Sequence, residues 1–405
     1  MNCNGSSERV MAYGPHVWDS RHRCKNAHTF SITLGISKSR RGRNCKGHQA
    51  YLFSDESKII DPAPALNALT VGSIARHDIS FAASRFPNDV DQRAIARRDQ
   101  PSPFSRSGPG PLGAIKPEVV EYGGNLSVSA RLGVDRLNVG HGGLGEISTS
   151  FNFAQGRLFV MDCGTSFAAP KVANLAGLLL REYPNASGNL LRALIAANAT
   201  VPQATLELFK DEPDKVLHVV GYGKVDRIST LFSDEKCVTL IAEEEISGDT
   251  HQFFEIPLPE DFFKHGRWQR ELTVSLAHSP MVRRTRIKYK GSSMTFKIFK
   301  ADSLNEVAHV FKWTKKGDAV TMLPEYGGFY PTAEVRSKGT VQAATGQFCQ
   351  VVRRWGGKKL FVVVTHHIEP WADALVVNIK NQSAVPVRFY TQIREQLRVR
   401  GRVRL

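Results

Sequence analysis

The segment Gly164-Thr165-Ser166-Phe167-Ala168-Ala169-Pro170-Lys171-Val172-Ala173 constrains this chain more than any other stretch. A short apolar run, Arg157 to Met161, leads almost directly into it, and Gly164 supplies a turn. From Phe167 to Glu182 the chain is apolar almost all round, with Ala168, Ala169, Val172, Ala173, Leu175, Ala176, Leu178, Leu179 and Leu180. That pattern predicts a helix buried on every face. Pro170 suits its first turn, where a missing N–H costs nothing. A serine at the mouth of such a helix has free N–H groups and the helix dipole beside it, and both favour developing negative charge. The residues alone leave two readings of Ser166 open. It is an N-cap after a turn glycine, or it is a nucleophile whose own N–H donates to the oxyanion of a tetrahedral intermediate.

The text around this segment divides into three. Residues 1–50 are basic, with short hydrophobic runs and one strand-like piece, Thr29 to Ile36, and read as a poorly packed segment. Residues 51–235 alternate apolar strands, glycine-rich turns and helical stretches, which argues for an α/β layer architecture with a parallel sheet. Asn67 to Ala75 reads as a buried strand, and Ser187 to Ala197 as a second helix with Ser187 as N-cap. Residues 236–405 change to short β-type runs separated by turn residues: Cys237–Ala242, Leu272–Ala277, Thr295–Phe299, Leu360–Thr365, Ala374–Ile379 and Val387–Tyr390. Such spacing predicts a β-sandwich.

Several blocks in the middle third carry a resemblance. Gly164 to Pro170 resembles the G-T-S-x-A-A-P signature of the subtilisin-like serine proteases, the subtilases, in which the serine is the nucleophile. Leu69-Thr70-Val71-Gly72-Ser73 resembles the strand ending in T-V-G-A, and Phe104 to Gly110 the F-S-x-x-G-P block. Ile115 to Val120 is similar to K-P-D-V, and Gly221 to Asp226 to the G-Y-G-x-V-D close of the domain. Five blocks in family order identify the chain as a member, in finer wording similar to large bacterial intracellular subtilases, some encoded beside an AAA-type ATPase. The resemblance implies a serine endopeptidase with Ser166 as nucleophile, Gly164 and Thr165 as its turn, and a protein or peptide substrate; the residues themselves suggest neither a cofactor nor a metal site.

The same resemblance shows what is not found. Serine must be activated by a base, and the family places an Asp in D-T/S-G and a His in H-G-T upstream of it. The upstream histidines here are His16, His22, His28, His48, His77 and His141, and none stands in H-G-T. Asp19-Ser20-Arg21 lacks the glycine of D-S-G. Where the family has its oxyanion asparagine in A-G-N, this chain reads Leu52 to Ser57, and Asn67 lies too close to the next strand for that role. Ser31 to Gly35 resembles the family's substrate strand. The expectation is a catalytic domain missing its N-terminal part and weak or inactive alone, or a catalytically silent binding protein with the same fold.

Composition narrows the rest. The net charge is +16, concentrated in residues 1–47 and in the last twelve, where Leu397 to Leu405 alternates arginine with mostly apolar residues. As a strand, that run offers a basic face to an anionic partner such as nucleic acid, although no nucleic-acid motif accompanies it. Six scattered cysteines without a C-x-x-C pair point to free thiols in a reducing cytoplasm. Cys163 beside the serine turn reads as a small core residue. His366-His367 on a strand would point to opposite faces and could not chelate one ion together. Neither a membrane span nor a secretory leader is expected.

Overall fold

The computed structural model describes residues 32–34, 48–85, 92–129, 137–138, 142–226, 239–244, 246–258, 270–283, 285–313, 323–348, 357–372 and 390–394. The basic N-terminal stretch, Asp19, four of the six upstream histidines (His16, His22, His28 and His141), the run Ala374–Ile379 and the C-terminal arginine run lie outside these residues.

The first half is built on β1 (Ile32–Leu34), β2 (Leu69–Ile74), β3 (Val119–Tyr122), a ribbon of β4 (Glu146–Thr149) and β5 (Phe159–Asp162), helices α1 (Thr165–Glu182) and α2 (Gly188–Ala197), and the short strands β6 (Ala199–Thr200) and β7 (Lys224–Val225). Strands β1, β2, β3 and β7 form a parallel sheet in that order, closed by antiparallel β6. All six residues of β2 are buried, as expected of a parallel strand covered on both faces. One face packs Leu69, Val71 and Val119 against Val172, Leu175 and Leu179 of α1 and Leu191 and Leu194 of α2. Each such side chain contributes about 1.5–3 kcal/mol through its burial. The other face packs Ile74 and Val120 against Leu52, Phe209, Val216 and Val220. Layers on both sides make this an α/β fold.

Below the sheet lies a buried ion pair. Lys116 Nζ contacts Glu118 Oε1 and donates to the carbonyls of Ala68 at 2.8 Å and Ala65 at 3.0 Å. Glu118 in turn accepts the Thr70 N–H at 2.7 Å, so the K-P-E-V stretch anchors the loop before β2. Burial holds Lys116 below the usual ammonium range and Glu118 above the usual carboxylate range.

The two helices reverse the expectation drawn for α1. Ser187 caps α2 by accepting the Leu190 N–H at 3.1 Å, and every residue of α2 is buried. Helix α1 buries a single stripe and exposes Ser166, Pro170, Ala173, Asn174, Gly177 and Leu180. Its small and apolar residues therefore face solvent on the side away from the sheet. Pro170 also falls differently. The helix starts at Thr165, which puts Pro170 past the first turn and opposite the Ser166 carbonyl, which gets no i+4 N–H from it.

The second half contains β8 (His251–Ile256), β9 (Arg270–Ala277), β10 (Ser292–Ala301), helix α3 (Leu304–Trp313), β11 (Phe329–Tyr330), β12 (Val341–Phe348), β13 (Lys359–Ile368) and β14 (Tyr390–Arg394). One antiparallel sheet runs β8-β13-β10 and another β11-β12-β9-β14. Leu272, Val274 and Leu276 from the second sheet meet Phe296, Ile298, Val362 and Val364 from the first in one core. Helix α3 covers the outer face of the first sheet through Val307 and Val310, against Phe299 and Phe361. Residues 239–242, read from sequence as part of a strand, have no strand partner among the described residues. His366 is buried, whereas His367 is exposed and contacts Asp249 at 2.8 Å, so the two do point apart.

The halves meet through α2. Ala193 and Ala196 pack with Ala277, Val341 and Ala343. Arg192, only 2 % exposed, donates to Asn67 O at 3.1 Å on one side and to His278 O and Ser279 Oγ, each at 2.9 Å, on the other. Asn67 Nδ2 reaches Pro280 O at 3.1 Å, so this asparagine is an interface residue. No helix among the described residues is long and apolar enough to cross a membrane.

Candidate functional site

The turn before Ser166 is seated on the carboxyl ends of β2 and β3, the place where open parallel sheets bind ligands. Gly164 is extended and its N–H donates to Gly123 O at 2.8 Å. This close approach requires glycine at position 123. A Cβ there would lie 2.6 Å from the Gly164 carbonyl oxygen and closer still to Ser73 Oγ. Ser73 Oγ is 2.8 Å from Ser102 Oγ, and Ser102 donates to Gly124 O at 2.7 Å, so two buried serines stitch the strand ends under the turn.

Ser166 itself is exposed. Thr165 before it is buried, and the Phe167 N–H returns to Gly164 O at 3.0 Å. Among the described residues neither the Ser166 N–H nor its Oγ has a hydrogen-bond partner. The side chain does not cap the helix, since the N-cap position is Gly164. A free N–H and a free hydroxyl at the positive end of an 18-residue helix are the parts an oxyanion site uses.

An open cleft of about 1000 Å³ begins at Ser166. Its walls are the exposed side of α1 (Phe167, Pro170, Lys171, Asn174), the end of β3 (Glu121, Tyr122), Arg76, the start of β4, and residues around Thr200 and Lys224. Along this lining Tyr122 donates its hydroxyl to Asp99 Oδ1 at 2.6 Å. Lys224 and Arg76 lie over the Tyr122 ring, 4.3 and 5.2 Å from the centroid. Lys171 ties α1 down by donating to Tyr122 O at 2.8 Å and to Glu146 Oε2 at 2.6 Å. Arg76 reaches the same Glu146 oxygen at 3.4 Å. Burial pushes the Tyr122 hydroxyl and the Glu121 carboxyl above their usual ranges.

No histidine among the described residues lines this cleft. His48 is buried in a short helix, and desolvation lowers it to about 4 against a hydrogen bond with the Pro101 backbone. His77 is exposed, and its carbonyl accepts the Asn125 amide at 3.0 Å. The Leu52–Ser57 stretch, where the family's oxyanion asparagine would fall, is the end of a helix and a 3-10 turn. Ile32–Leu34, similar to the substrate strand, pairs in parallel with β2. Cys163 is half-buried beside Gly124. Among the described residues no group of His, Cys, Asp and Glu is placed to hold a metal ion.

Comparison with known proteins agrees with this architecture. A family model described as the Subtilase family matches residues 45–223. The chain is 35% identical over 364 residues to the uncharacterized protein y4bN of Sinorhizobium fredii (strain NBRC 101917 / NGR234), covering 86% of this chain and 81% of that protein. A solved structure of proteases from Pseudoalteromonas arctica PAMC 21717 is similar at 16% identity and a TM-score of 0.26, over 42% of this chain and 37% of that one, too slight a likeness to carry argument. The fold and the serine turn are those of an α/β protein built around a helix-borne serine. The chain belongs to the subtilase family.

Proposed function

We propose that this chain has a serine-peptidase site of the subtilase type, with Ser166 as the nucleophile position and the Ser166 N–H as an oxyanion donor. The observation that carries the reading is the exposed, unpartnered Ser166 on a glycine turn at the strand ends. The pair of antiparallel sheets in residues 236–405 is read as a β-sandwich that supports the site through α2. The chain alone hydrolyses peptides weakly or not at all, because no imidazole among the described residues lines the cleft. Without a base, the residual acceleration from oxyanion stabilisation and binding is about 10³–10⁴-fold over water, and less when the second oxyanion donor is also missing. That absence also favours a second reading, a catalytically silent member that binds polypeptide.

Added imidazole separates the two readings. Acyl transfer from p-nitrophenyl acetate is followed with the wild type and with Ser166→Ala at increasing imidazole. The peptidase reading expects a Ser166-dependent acceleration above the rate of imidazole itself. Equal rates for the two proteins would leave the silent binding reading standing.

A further inference from the structure

Between β9 and β10 the chain makes a basic hairpin. The stretch Met281-Val282-Arg283-Arg284-Thr285-Arg286-Ile287-Lys288-Tyr289-Lys290 has five cations, and no Asp or Glu occurs from Leu272 to Ala301 to neutralise them. Backbone bonds hold its shape. The Arg283 N–H donates to Tyr289 O at 2.9 Å, the Gly291 N–H to Met281 O at 2.7 Å and the Arg286 N–H to Arg283 O at 3.2 Å. Arg283, Arg286, Ile287 and Lys288 all face solvent, and Ile287 is 93% exposed. Lys288 meets Glu369 at 3.2 Å, whereas Arg283 and Arg286 meet no carboxylate among the described residues.

A second observation comes from the other half of the molecule. The Tyr289 hydroxyl donates to Pro111 O at 3.4 Å, which sets the hairpin beside the 3-10 turn Pro111–Gly113. Lys290 Nζ donates to Lys338 O at 2.8 Å. The stem of the exposed Lys338 lies against the same turn, with its Cδ 3.2 Å from where a Gly113 Cβ would stand. In that turn Leu112 is held at φ 54°, ψ 25°, and is 57% exposed. This left-handed conformation suits glycine and strains a leucine, and an exposed side chain gains no packing in return. Local strain of this kind gathers where a chain meets ligands.

Cations with bare apolar side chains among them decide the partner. A nucleic-acid backbone uses the cations alone, and bases stack on open aromatic faces, but Tyr289 is half-buried and tied to the turn. An anionic bilayer uses both kinds of group, cations at the level of the phosphates and apolar side chains beneath them. The net charge of +16 adds long-range attraction to such a surface. We propose that the hairpin and the Pro111–Gly113 turn dock this chain on an anionic phospholipid surface. Arg283, Arg286, Lys288 and Lys338 meet the headgroup phosphates, and Ile287 and Leu112 enter the acyl boundary. None of these residues lines the Ser166 cleft, so docking stands apart from the peptidase reading.

The test measures partition without catalysis. The full chain is sedimented with sucrose-loaded vesicles of phosphatidylcholine mixed with phosphatidylserine, and with vesicles of phosphatidylcholine alone. Binding to the anionic vesicles that weakens with salt, and little binding to the neutral ones, is expected. Arg283→Gln together with Arg286→Gln is expected to lower the partition coefficient roughly 25-fold, at about fivefold per cation. Ile287→Ser changes no charge and is expected to lower it roughly tenfold. Leu112→Gly relieves the left-handed strain while removing the side chain, and is expected to weaken partition as well. The basic ends of the chain are the same in every variant, so they cannot produce these differences. Circular dichroism checks each fold, and the three variants test the surface independently if one misfolds. Failure to bind anionic vesicles, or unchanged partition in a folded variant, overturns the proposal. A single-stranded RNA is titrated in parallel. RNA binding that needs Arg283 and Arg286, with vesicle binding indifferent to Ile287→Ser, would make the hairpin a nucleic-acid surface instead.

Discussion

Replacing Arg192 with methionine probes the joint that holds the serine-bearing sheet to the C-terminal sheets. The guanidinium donates to Asn67 O, His278 O and Ser279 Oγ at 2.9–3.1 Å. It also donates to Thr340 Oγ1 at 3.4 Å and to Asn189 Oδ1; counting only the three bonds at 2.9–3.1 Å, at about 2 kcal/mol each, gives about 6 kcal/mol. Against this stands desolvation, which lowers the group from 12.5 to about 10. A shift of that size corresponds to about 3 kcal/mol that is regained when the charge is removed. The net loss expected for Arg192→Met is at least about 3 kcal/mol, with the carbonyl of the buried His278 left short of a donor. Urea unfolding followed by far-ultraviolet circular dichroism and by tryptophan fluorescence measures it. Four of the five tryptophans, Trp268, Trp313, Trp355 and Trp371, report on the C-terminal half. The variant is expected to unfold at lower urea, and its two signals to separate. A loss under about 1 kcal/mol with coincident curves would mean that Arg192 does not couple the halves as its contacts imply.

Other perturbations bear on the site and on pH. Gly123→Ala drives a methyl into the Gly164 carbonyl and Ser73; a destabilisation of about 1–3 kcal/mol is expected by urea titration, and a neutral result would remove the argument that the turn needs this glycine. Lys171→Met cuts the ties from α1 to Tyr122 O and Glu146; faster amide hydrogen exchange in the first turns of α1 is expected, and unchanged protection would contradict the tie. His48 is depressed to about 4 by burial, so the unfolded chain takes up its proton first as pH falls. Its contribution to stability is present above about pH 6.5 and is lost progressively down to about pH 4. Between pH 7 and 5 this costs about 2 kcal/mol, so His48→Gln should show that much less pH dependence than the wild type in urea titrations at the two pH values. Equal pH dependence would place His48 in water.

Much of the first half was legible because its signals are local. The short strand β2 with its T-V-G run, the Ser187 cap and the glycine turn before Ser166 are each written within a few residues. The burial of α1 was not legible, because composition records which side chains are apolar and not what covers them. The same all-round pattern is satisfied on every side in α2, which lies between the sheet and the C-terminal strands, and on one side only in α1. In the second half, β9, β10 and β13 show dense β-branched and aromatic runs. Strand β12 escaped notice because Val341-Gln342-Ala343-Ala344-Thr345-Gly346 is rich in small residues, which it needs to pack beneath α2. The Lys171–Glu146 tie joins residues 25 positions apart with no local motif between them.

The central proposal is that Ser166 occupies the nucleophile position of a subtilase while no imidazole base among the described residues lines its cleft. A fluorophosphonate probe reads this most directly, with the labelled residue located by mass spectrometry and Ser166→Ala as control. The account predicts that the purified chain alone is not labelled stoichiometrically at Ser166. Stoichiometric labelling there would show that the serine is already activated, and would contradict the reading of the cleft as one without a catalytic base.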